Sequence, residues 1–368
     1  MTRKLHVAMD ARKLLDGGIG TYIRELLAAY ATAPGDDTFS ALLDPRDADH
    51  VPERIRVVPV SAGKYGFAEH FVVPSAARGA GAHLLHEPHY TLPYGWSGPC
   101  VVTVHDLIHL KMARFYPWYV PVYARAVIAH AVSRARVVLA DSRRTSDDLR
   151  ECFGVPEDRI VVTPLGVSET YRPMSAAECA AFRAARGLPQ GYVLYVGARK
   201  GHKNLSVLLR AWAAMREGDR PPLVLSGEAW AAGDPLALEA EALGVSRWVS
   251  FSGGMHDGET GRLLYASAAL YVQPSLYEGF GLPPIEAMAC GTPVLSSDGG
   301  SLREVTEGGA EVIPPHDPAQ WAARVLAILG DGQLRAAMSA RGLKHAARYR
   351  WAETARLTCA AYVRAMQG

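Results

Sequence analysis

The sequence has no long apolar run and no segment that predicts passage through a membrane. None of its apolar stretches approaches the roughly 20 residues that a helix needs to cross a bilayer. Met1 to Lys4 lead directly into a strand pattern, without the apolar core of a secretory signal peptide. We therefore expect a cytoplasmic protein that could associate with the inner face of a membrane.

Cysteine is scarce, and an excess of charge of either sign is missing. The five cysteines are odd in number, scattered, and without the spacing of metal ligands, which argues for a reducing compartment and against a zinc site. They are Cys100, Cys152, Cys179, Cys290 and Cys359. The 39 basic and 37 acidic residues leave a formal net charge of +2, which gives no reason to expect a nucleic-acid partner.

The sequence does have the composition of a globular protein with more than one core. Its 368 residues exceed a comfortable single core and suggest two domains. Hydrophobic residues make up 49% and charged residues 21%, which is ordinary for such proteins. Apolar strand patterns alternate with helical patterns in both halves, so the expected fold class is α/β with parallel sheets.

The most informative stretch of the chain runs from Ser275 to Val294. An apolar strand at 270–274 leads into it, and Gly279 and Gly281 allow the backbone to turn tightly and to approach a ligand closely. Two prolines then open a helix, and Gly291 ends it. The pattern predicts a strand, a glycine turn, a short helix and another strand.

Two glutamates in this pattern are candidates for ligand binding. Glu278 falls in the predicted loop, and Glu286 falls in what we expect to be the first turn of the helix. Both carboxylates can therefore face the same site. The unpaired N–H groups at the start of such a helix suit anionic or hydroxyl-rich ligands.

The string Glu-Gly-Phe-Gly-Leu-Pro, followed by Glu-Ala-Met-Ala-Cys-Gly-Thr-Pro-Val, resembles the two-glutamate motif of retaining GT-B glycosyltransferases, particularly glycosyltransferase family 4. The resemblance implies two doubly wound, Rossmann-like domains that face each other across a cleft. It assigns 1–168 to an acceptor-binding domain and 169–349 to a donor-binding domain. The final helix, 350–368, would cross back to the first domain.

A basic segment precedes the first helix of the second domain. A strand ending at Gly197 is followed by Arg199 and then by His202, Lys203 and Asn204. Cations beside a helix N-terminus make a good diphosphate clamp. The family usually has Arg-Lys-Asn here, so Lys203 matches directly, while the role of the arginine stays open between Arg199 and His202.

The resemblance also implies roles for the residues around the glutamates. Glu286 would bind the ribose hydroxyls of the donor, and Glu278, with the amides of Phe280 and Gly281, would bind the hydroxyls of the sugar. The residues implied in catalysis are His105, Glu278, Lys203 and Arg199. The further donor-binding positions are Gly17, Gly18, Gly197, Gly227, Gly254, Met255, Gly279 and Leu282.

In the first half, His105 and Asp106 follow a buried strand. The resemblance places a histidine here beside the transferred sugar, near its C6 hydroxyl. A second polar segment, 86–93, also follows a strand, and ligands bind at the carboxyl ends of strands in such sheets. His86, His89 and Tyr90 in this segment, together with Asp106, are therefore candidate acceptor contacts. The alternative is a structural loop with a partly buried His86.

Two further segments of the first half have their own interpretation. Thr21 is expected to cap a helix after the glycine turn at 16–20. The aromatic segment 111–136 could be a helix that docks on a membrane surface or an acceptor. Its interruption by Pro117 and Pro121 favours a core face instead.

The implied reaction moves a hexose from a nucleoside diphosphate sugar to an acceptor hydroxyl with retention, by a front-face route and without a metal or other cofactor. Asp10-Ala11-Arg12 with Gly-Ile-Gly-Thr-Tyr resembles the mannosyltransferase-like branch, which favours GDP-mannose over a UDP-hexose. The acceptor would be a glycan, a lipid-linked glycan or a secondary metabolite, and the alanine and arginine content suggests a bacterial source. The alternatives are a non-catalytic sugar-nucleotide-binding protein of the same fold and a GT-B sugar-nucleotide epimerase.

Overall fold

The computed structural model describes residues 4–33, 36–227, 233–254 and 258–367. The chain divides into two compact units. The first unit comprises Met1–Gly166 together with Arg350–Gly368, and the second comprises Val167–Tyr349. The boundary predicted from the sequence lay after residue 168.

Both units contain a parallel β-sheet. The strands are β1 (His6–Asp10), β2 (Thr38–Leu43), β3 (Arg56–Pro59), β4 (Leu84–Glu87), β5 (Cys100–Val104), β6 (Val137–Ala140), β7 (Ile160–Val162), β8 (Val193–Val196), β9 (Leu223–Gly227), β10 (Val249–Gly253), β11 (Leu270–Gln273), β12 (Val294–Ser297) and β13 (Glu311–Ile313). The first sheet has the order β3-β2-β1-β4-β5-β6-β7, and the second has the order β10-β9-β8-β11-β12-β13. The predicted α/β class is confirmed.

Helices connect the strands in both units. They are α1 (Gly17–Thr32), α2 (Glu69–Gly79), α3 (Ile108–Lys111), α4 (Tyr119–Arg134), α5 (Arg143–Phe153), α6 (Ala176–Arg186), α7 (Leu205–Ala214), α8 (Pro235–Ala242), α9 (Gly258–Ala266), α10 (Leu282–Ala289), α11 (Leu302–Thr306), α12 (Pro318–Gly330), α13 (Gly332–Ala346) and α14 (Trp351–Gln367). Helix α14 packs on α1 within the first unit, where the hydroxyls of Tyr30 and Tyr362 lie 2.9 Å apart.

The central strands are buried on both faces, as parallel strands covered by helices must be. Every residue of β4, β5, β6, β8 and β11 is buried. In the second unit, Trp212 and Trp321 have no exposed surface. Each unit therefore has its own hydrophobic core.

The order of strands reverses once in each sheet, between β1 and β4 in the first unit and between β8 and β11 in the second. Such a reversal leaves a crevice outside the carboxyl ends of the two strands, where open α/β sheets bind their ligands. We call these two places the first and the second switch point. Loops that follow β1, β4, β8 and β11 are thus the structural candidates for a site.

The start of α1 differs from the prediction. The helix begins at Gly17, with Asp16 as its N-cap, so the glycines form its first turn instead of a preceding turn. Thr21 lies inside the helix, where its hydroxyl donates to the carbonyl of Gly17. The prediction that Thr21 caps this helix is therefore wrong.

Candidate functional site

Glu278 forms the centre of the second switch point, in the loop after β11. The Nζ atom of Lys203 lies 2.8 Å from both of its carboxylate oxygens. Burial alone would raise the pKa of Glu278, but the charge and hydrogen bonds of Lys203 outweigh it, and the pKa is lowered. The structure thus brings two of the predicted catalytic residues together as an ion pair.

Two neutral side chains complete the contacts of this carboxylate. The hydroxyl of Ser275 donates to its Oε1 at 2.6 Å, and the Nε2 amide of Gln273 donates to the same oxygen at 2.9 Å. The hydroxyl of Tyr271 in turn donates to the side-chain amide oxygen of Gln273. Sequence analysis missed Gln273 and Ser275, although a glutamine that ends a fully buried strand was a usable signal.

The loop that follows β12 holds the backbone of the Glu278 loop. Gly300 has a φ of +64°, and a Cβ there would lie 2.4 Å from the carbonyl oxygen of Glu278, so only glycine fits. The hydroxyl of Ser301 donates to the carbonyls of Glu278 and Phe280, at 3.1 and 3.0 Å. Ser301 makes no side-chain cap of α11, because its hydroxyl is used to fix this loop.

Glu286 is the fifth residue of α10 and so lies in the second turn, not the predicted first turn. Its Oε2 accepts a hydrogen bond of 2.9 Å from the hydroxyl of Tyr265. Burial and then the charge of Glu286 raise the pKa of Tyr265 well above its ordinary value. The ring of Tyr265 packs edge-on against Tyr271 at 5.7 Å, which connects the surroundings of the two glutamates.

The other basic residues of the predicted clamp are engaged within the protein. Arg199 forms an ion pair of 2.8 Å with Asp234, a residue that also caps α8. His202 is buried, and its charge contributes to lowering the pKa of Glu278. The side-chain amide of Asn204 donates to the carbonyls of Pro274 and Pro315, at 3.1 and 2.8 Å. Asn204 therefore joins the Lys203 turn to the Glu278 loop.

The predicted glycines of the second unit lie at adjacent strand ends. Gly227, with a φ of +155°, would place a Cβ 2.2 Å from the carbonyl oxygen of Gly197. Gly254 donates its N–H to the carbonyl of Gly227 at 2.9 Å. Phe280, Gly281 and Leu282 continue from Glu278 into the start of α10. Gly279 lies between Glu278 and Phe280, and Met255 lies outside the described residues.

The first switch point holds a buried cluster of charges. Arg12 binds Asp10 with a fork of hydrogen bonds, Nε to Oδ1 at 2.9 Å and Nη2 to Oδ2 at 2.6 Å. Its Nη1 also binds Oε2 of Glu69, on α2, at 3.0 Å. Burial would lower the pKa of Arg12, but the hydrogen bonds and charge of Asp10 raise it. Sequence analysis noted Asp10 and Arg12 without predicting this pairing.

Lys13 and Glu87 complete this charged cluster. The Nζ atom of Lys13 lies 2.8 Å from the hydroxyl of Tyr65 and 3.1 Å from Nδ1 of His89. Burial lowers the pKa of Lys13 to about 8. Glu87 is 1% exposed, and its Oε1 has no hydrogen-bond partner among the described residues. Burial therefore raises the pKa of Glu87 well above its ordinary value.

The predicted acceptor contacts have different surroundings. His86 is completely buried between Thr103 on β5 and Tyr362 on α14, with bonds of 2.8 and 2.7 Å to its two ring nitrogens. Burial lowers its pKa to about 3. This geometry corrects the prediction, because a side chain without exposed surface cannot touch an acceptor. His86 is a structural residue.

The remaining candidates of the first unit lie nearer the surface. The ring of Tyr90 lies against that of His89, with centroids 3.8 Å apart. Asp106 accepts a hydrogen bond of 2.9 Å from the N–H of Ile108. Gly17 and Gly18 are the first two residues of α1.

His105 lies at the end of β5 and uses both nitrogens of its ring. Nδ1 lies 2.7 Å from Oδ2 of Asp141, which follows β6, and Nε2 lies 2.9 Å from the carbonyl oxygen of Pro88. The edge of the Tyr22 ring packs against it at 4.9 Å. Burial lowers the pKa of His105, but the charge and hydrogen bond of Asp141 outweigh this effect and raise it.

Across residues 4–33, 36–227, 233–254 and 258–367, no three His, Cys, Asp or Glu side chains gather in an arrangement suited to a metal ion. Within the same ranges, no helix combines the length and the apolar character of a membrane span.

Known families match both units. Residues 16–171 match the model described as Glycosyltransferase Family 4, and residues 181–345 match the model described as Glycosyl transferases group 1. The O-antigen chain mannosyltransferase B of Escherichia coli is 34% identical over 283 residues, which cover 76% of this chain and 74% of that protein. A D-inositol 3-phosphate glycosyltransferase of Xylanimonas cellulosilytica is 30% identical over 388 residues, covering 95% and 92%.

A solved structure agrees with the architecture. Sucrose-phosphate synthase from Thermosynechococcus elongatus superposes with a TM-score of 0.80 at 22% sequence identity, over 98% of both chains. Together with the two parallel-sheet units, this likeness confirms the predicted GT-B, Rossmann-like fold. It extends over almost the whole of this chain.

Proposed function

Because this chain belongs to glycosyltransferase family 4, we propose that it is a retaining hexosyltransferase that uses a nucleoside diphosphate sugar. The observation that carries the proposal is the Lys203–Glu278 pair at the second switch point. It places a fixed cation and a fixed carboxylate where a sheet of this topology binds its ligand. Neither a sugar-nucleotide epimerase nor a non-catalytic binding protein is favoured by the relatives.

Lys203 would bind the leaving diphosphate. An ammonium group has three N–H donors, and two of them are directed at the oxygens of Glu278. The third can reach a phosphate oxygen without breaking the ion pair. Negative charge on the diphosphate grows as the glycosidic bond breaks, so a preorganised cation stabilises the transition state more than the ground state.

Glu278 would bind the hydroxyls of the donor sugar, and Glu286 those of the ribose. Glu278 is a poor candidate for a covalent nucleophile, because Lys203, Ser275 and Gln273 all donate to its carboxylate. These bonds stabilise the anion and reduce its tendency to attack carbon. We therefore favour front-face substitution, in which the departing phosphate oxygen takes the proton of the acceptor hydroxyl.

The reaction is proposed to need no metal cofactor, since Lys203 already supplies a cation at the proposed diphosphate position. The one Asp-x-Asp sequence in the chain, Asp47-Ala48-Asp49, belongs to the first unit. It lies in a 3-10 turn, Pro45–His50, none of whose residues is buried. This sequence is therefore not part of the proposed donor site.

GDP-mannose is the preferred donor, because the relative from Escherichia coli is a mannosyltransferase by name. A UDP-hexose is the alternative. The acceptor is proposed to be a hydroxyl of a glycan, free or lipid-linked, or of a secondary metabolite. His105, Tyr90, His89 and Asp106 remain the proposed first-unit contacts with the transferred sugar and the acceptor.

Calorimetric titration with GDP, UDP, ADP and dTDP in the presence of a chelator tests the donor site. We expect one nucleotide to bind in the micromolar range and Glu278→Ala to lose hexose transfer from the matching sugar nucleotide. Binding of none, or transfer by Glu278→Ala at the rate of the unchanged protein, would contradict the proposal. Strict dependence on an added divalent cation would contradict the metal-free route alone.

A lipid-linked acceptor would be reached at a membrane, and one surface of the first unit has the matching chemistry. Trp118 and Val122, at the start of α4, have exposed fractions of 83 and 62%. Phe67 is 80% exposed and is connected to α4 by ring contacts through His70, Tyr94 and His130. The opposite side of α4 is buried, so the predicted core face is only half of this helix. Residues 107–140 contain five arginines and lysines and no acidic residue. We propose that this aromatic, basic surface docks on an anionic lipid bilayer.

Vesicle sedimentation tests this surface. The protein should sediment with vesicles containing phosphatidylglycerol and much less with phosphatidylcholine alone. The double change Phe67→Ser and Trp118→Ser should abolish sedimentation, whereas Leu238→Ser, an exposed leucine of the second unit, should not. Equal loss in both variants would contradict the assignment.

A further inference from the structure

The hydrogen bonds of His105 fix the protonation of its ring. The partner of Nε2 is the carbonyl oxygen of Pro88, which can only accept, so Nε2 must carry a proton. The partner of Nδ1 is the carboxylate of Asp141 at 2.7 Å. With Nδ1 also protonated, the ring is an imidazolium that donates to an oxygen on each side.

The surroundings of the ring favour this charged form. Asp141 follows β6, is 2% exposed, and has one oxygen, Oδ1, without a partner in the described part of the chain. Burial raises the pKa of Asp141, and the charge and hydrogen bond of His105 oppose that rise. A carboxylate with so few hydrogen bonds stays ionised only with a positive charge beside it. His105 supplies that charge.

The other titratable groups that face His105 leave this assignment unchanged. Burial lowers the pKa of His86, from β4, to about 3, and holds the pKa of His89 well below its ordinary value, so both rings are neutral. Burial keeps the hydroxyl of Tyr22, on α1, protonated. Asp106, beside His105 in the chain, adds a second negative charge that favours the imidazolium.

We propose that Asp141 is a positioning residue that holds the ring of His105 as an imidazolium, so that His105 acts on the bound donor as a positive charge and not as a general base. This inference rests on the proposed function for the contact between His105 and the donor sugar. A ring whose two nitrogens both donate to protein oxygens has no lone pair with which to accept the acceptor's proton. This agrees with the front-face route, where a phosphate oxygen takes that proton.

The charge state can be measured without any turnover. Nitrogen NMR of the histidine rings distinguishes a doubly protonated ring from a neutral one, and His105→Gln identifies the signal among the 13 histidines. We expect His105 to titrate above 6.5 in the unchanged protein. In Asp141→Asn only the hydrogen bond to Pro88 and the charge of Asp106 still oppose the effect of burial, so the pKa of the ring should be lower than in the unchanged protein. A wild-type ring that titrates below its ordinary value would overturn the inference even if the enzyme is a hexosyltransferase.

The pH dependence of hexose transfer tests the role of the charge. The pKa of His105 is raised above its ordinary value, so the unchanged protein should lose activity as the pH rises through that raised pKa. Asp141→Asn should lose activity at lower pH, by about tenfold for each unit by which its pKa falls, and should recover as the solution is acidified. A purely structural role for Asp141 would reduce activity by the same factor at every pH, which would overturn the inference.

Two variants control this experiment. Asp147→Asn removes an exposed carboxylate of α5 and should leave the pH profile unchanged. In a His105→Gln background, Asp141→Asn should no longer shift the profile, provided that both proteins keep the circular dichroism of the fold. A shift that persists without His105 would overturn the inference. If neither the unchanged protein nor any variant transfers a hexose, the proposed function is contradicted. The NMR titration would still decide the charge state of His105.

Discussion

The two switch points have the same topology, but they differ in whether the hydrogen-bond donors of their cations are all used within the protein. At the first, Asp10, Arg12 and Lys13 are at most 6% exposed, and the two cations donate to neighbouring side chains. At the second, the Lys203 side chain is 19% exposed and retains a donor beyond its two bonds to Glu278. Charge at a strand end therefore does not by itself make a ligand site. A ligand site also needs an accessible hydrogen-bond donor that the protein itself does not use.

The largest effect is expected when the remaining hydrogen-bond donor of Lys203 is removed. Lys203→Ala should reduce kcat by about a thousandfold, roughly 4 kcal/mol of transition-state stabilisation, and weaken binding of the nucleoside diphosphate. Lys200→Ala removes an exposed lysine three residues away and serves as the matched control. Steady-state kinetics and calorimetry measure both effects. Unchanged nucleotide affinity in Lys203→Ala would remove Lys203 from the diphosphate site.

The first switch point should respond in stability instead. Arg12→Met leaves Asp10 and Glu69 buried without their cation, which should cost about 3 to 5 kcal/mol in the free energy of unfolding. Arg46→Met is a matched control, because Arg46 forks onto Asp44 in the same way on the surface, with 87% of its side chain exposed. Denaturant unfolding should show little change for Arg46→Met. Similar effects in both variants would mean that the buried cluster has no special structural weight.

The smallest expected effect concerns Lys13. Its pKa is lowered by burial, from 10.5 to about 8, so the folded state binds this proton less tightly than the unfolded chain does. Stability should therefore rise as the pH increases from about 8 to 10.5, by about 3 kcal/mol for this group. Lys13→Met should remove that part of the rise, as measured by unfolding at several pH values. An identical pH dependence in both proteins would show that Lys13 is not desolvated.

Elements that depend on local pattern could be predicted from the sequence, and contacts between distant segments could not. The strand β11, the helix α10 after the glycine turn, and Gly291 after that helix are confirmed. The cap predicted at Thr21 was wrong. A threonine after several glycines does not show whether the glycines precede the helix or form its first turn.

The same limit applies to the site. The motifs placed Lys203 and Glu278 in one site, and the structure shows their ion pair. The pairing of His105 with Asp141 joins two strand ends that lie far apart in the sequence, so it depends on the order of strands in the sheet. Ser301 occupies the N-cap position of α11, but its hydroxyl fixes the Glu278 loop instead. Tertiary contacts override local rules at such positions.

The contacts of Glu278 have a consequence for which sequences the site can accept. Lys203, Gln273 and Ser275 all direct N–H or O–H groups at this carboxylate, so the position receives donors from every side. Glutamine has nearly the same shape, but its amide nitrogen would have to face the ammonium of Lys203 or another donor. The conservative substitution thus changes an attraction into a repulsion. In evolutionary terms, no single substitution of similar shape is neutral for selection at Glu278, and change here requires a simultaneous change at Lys203.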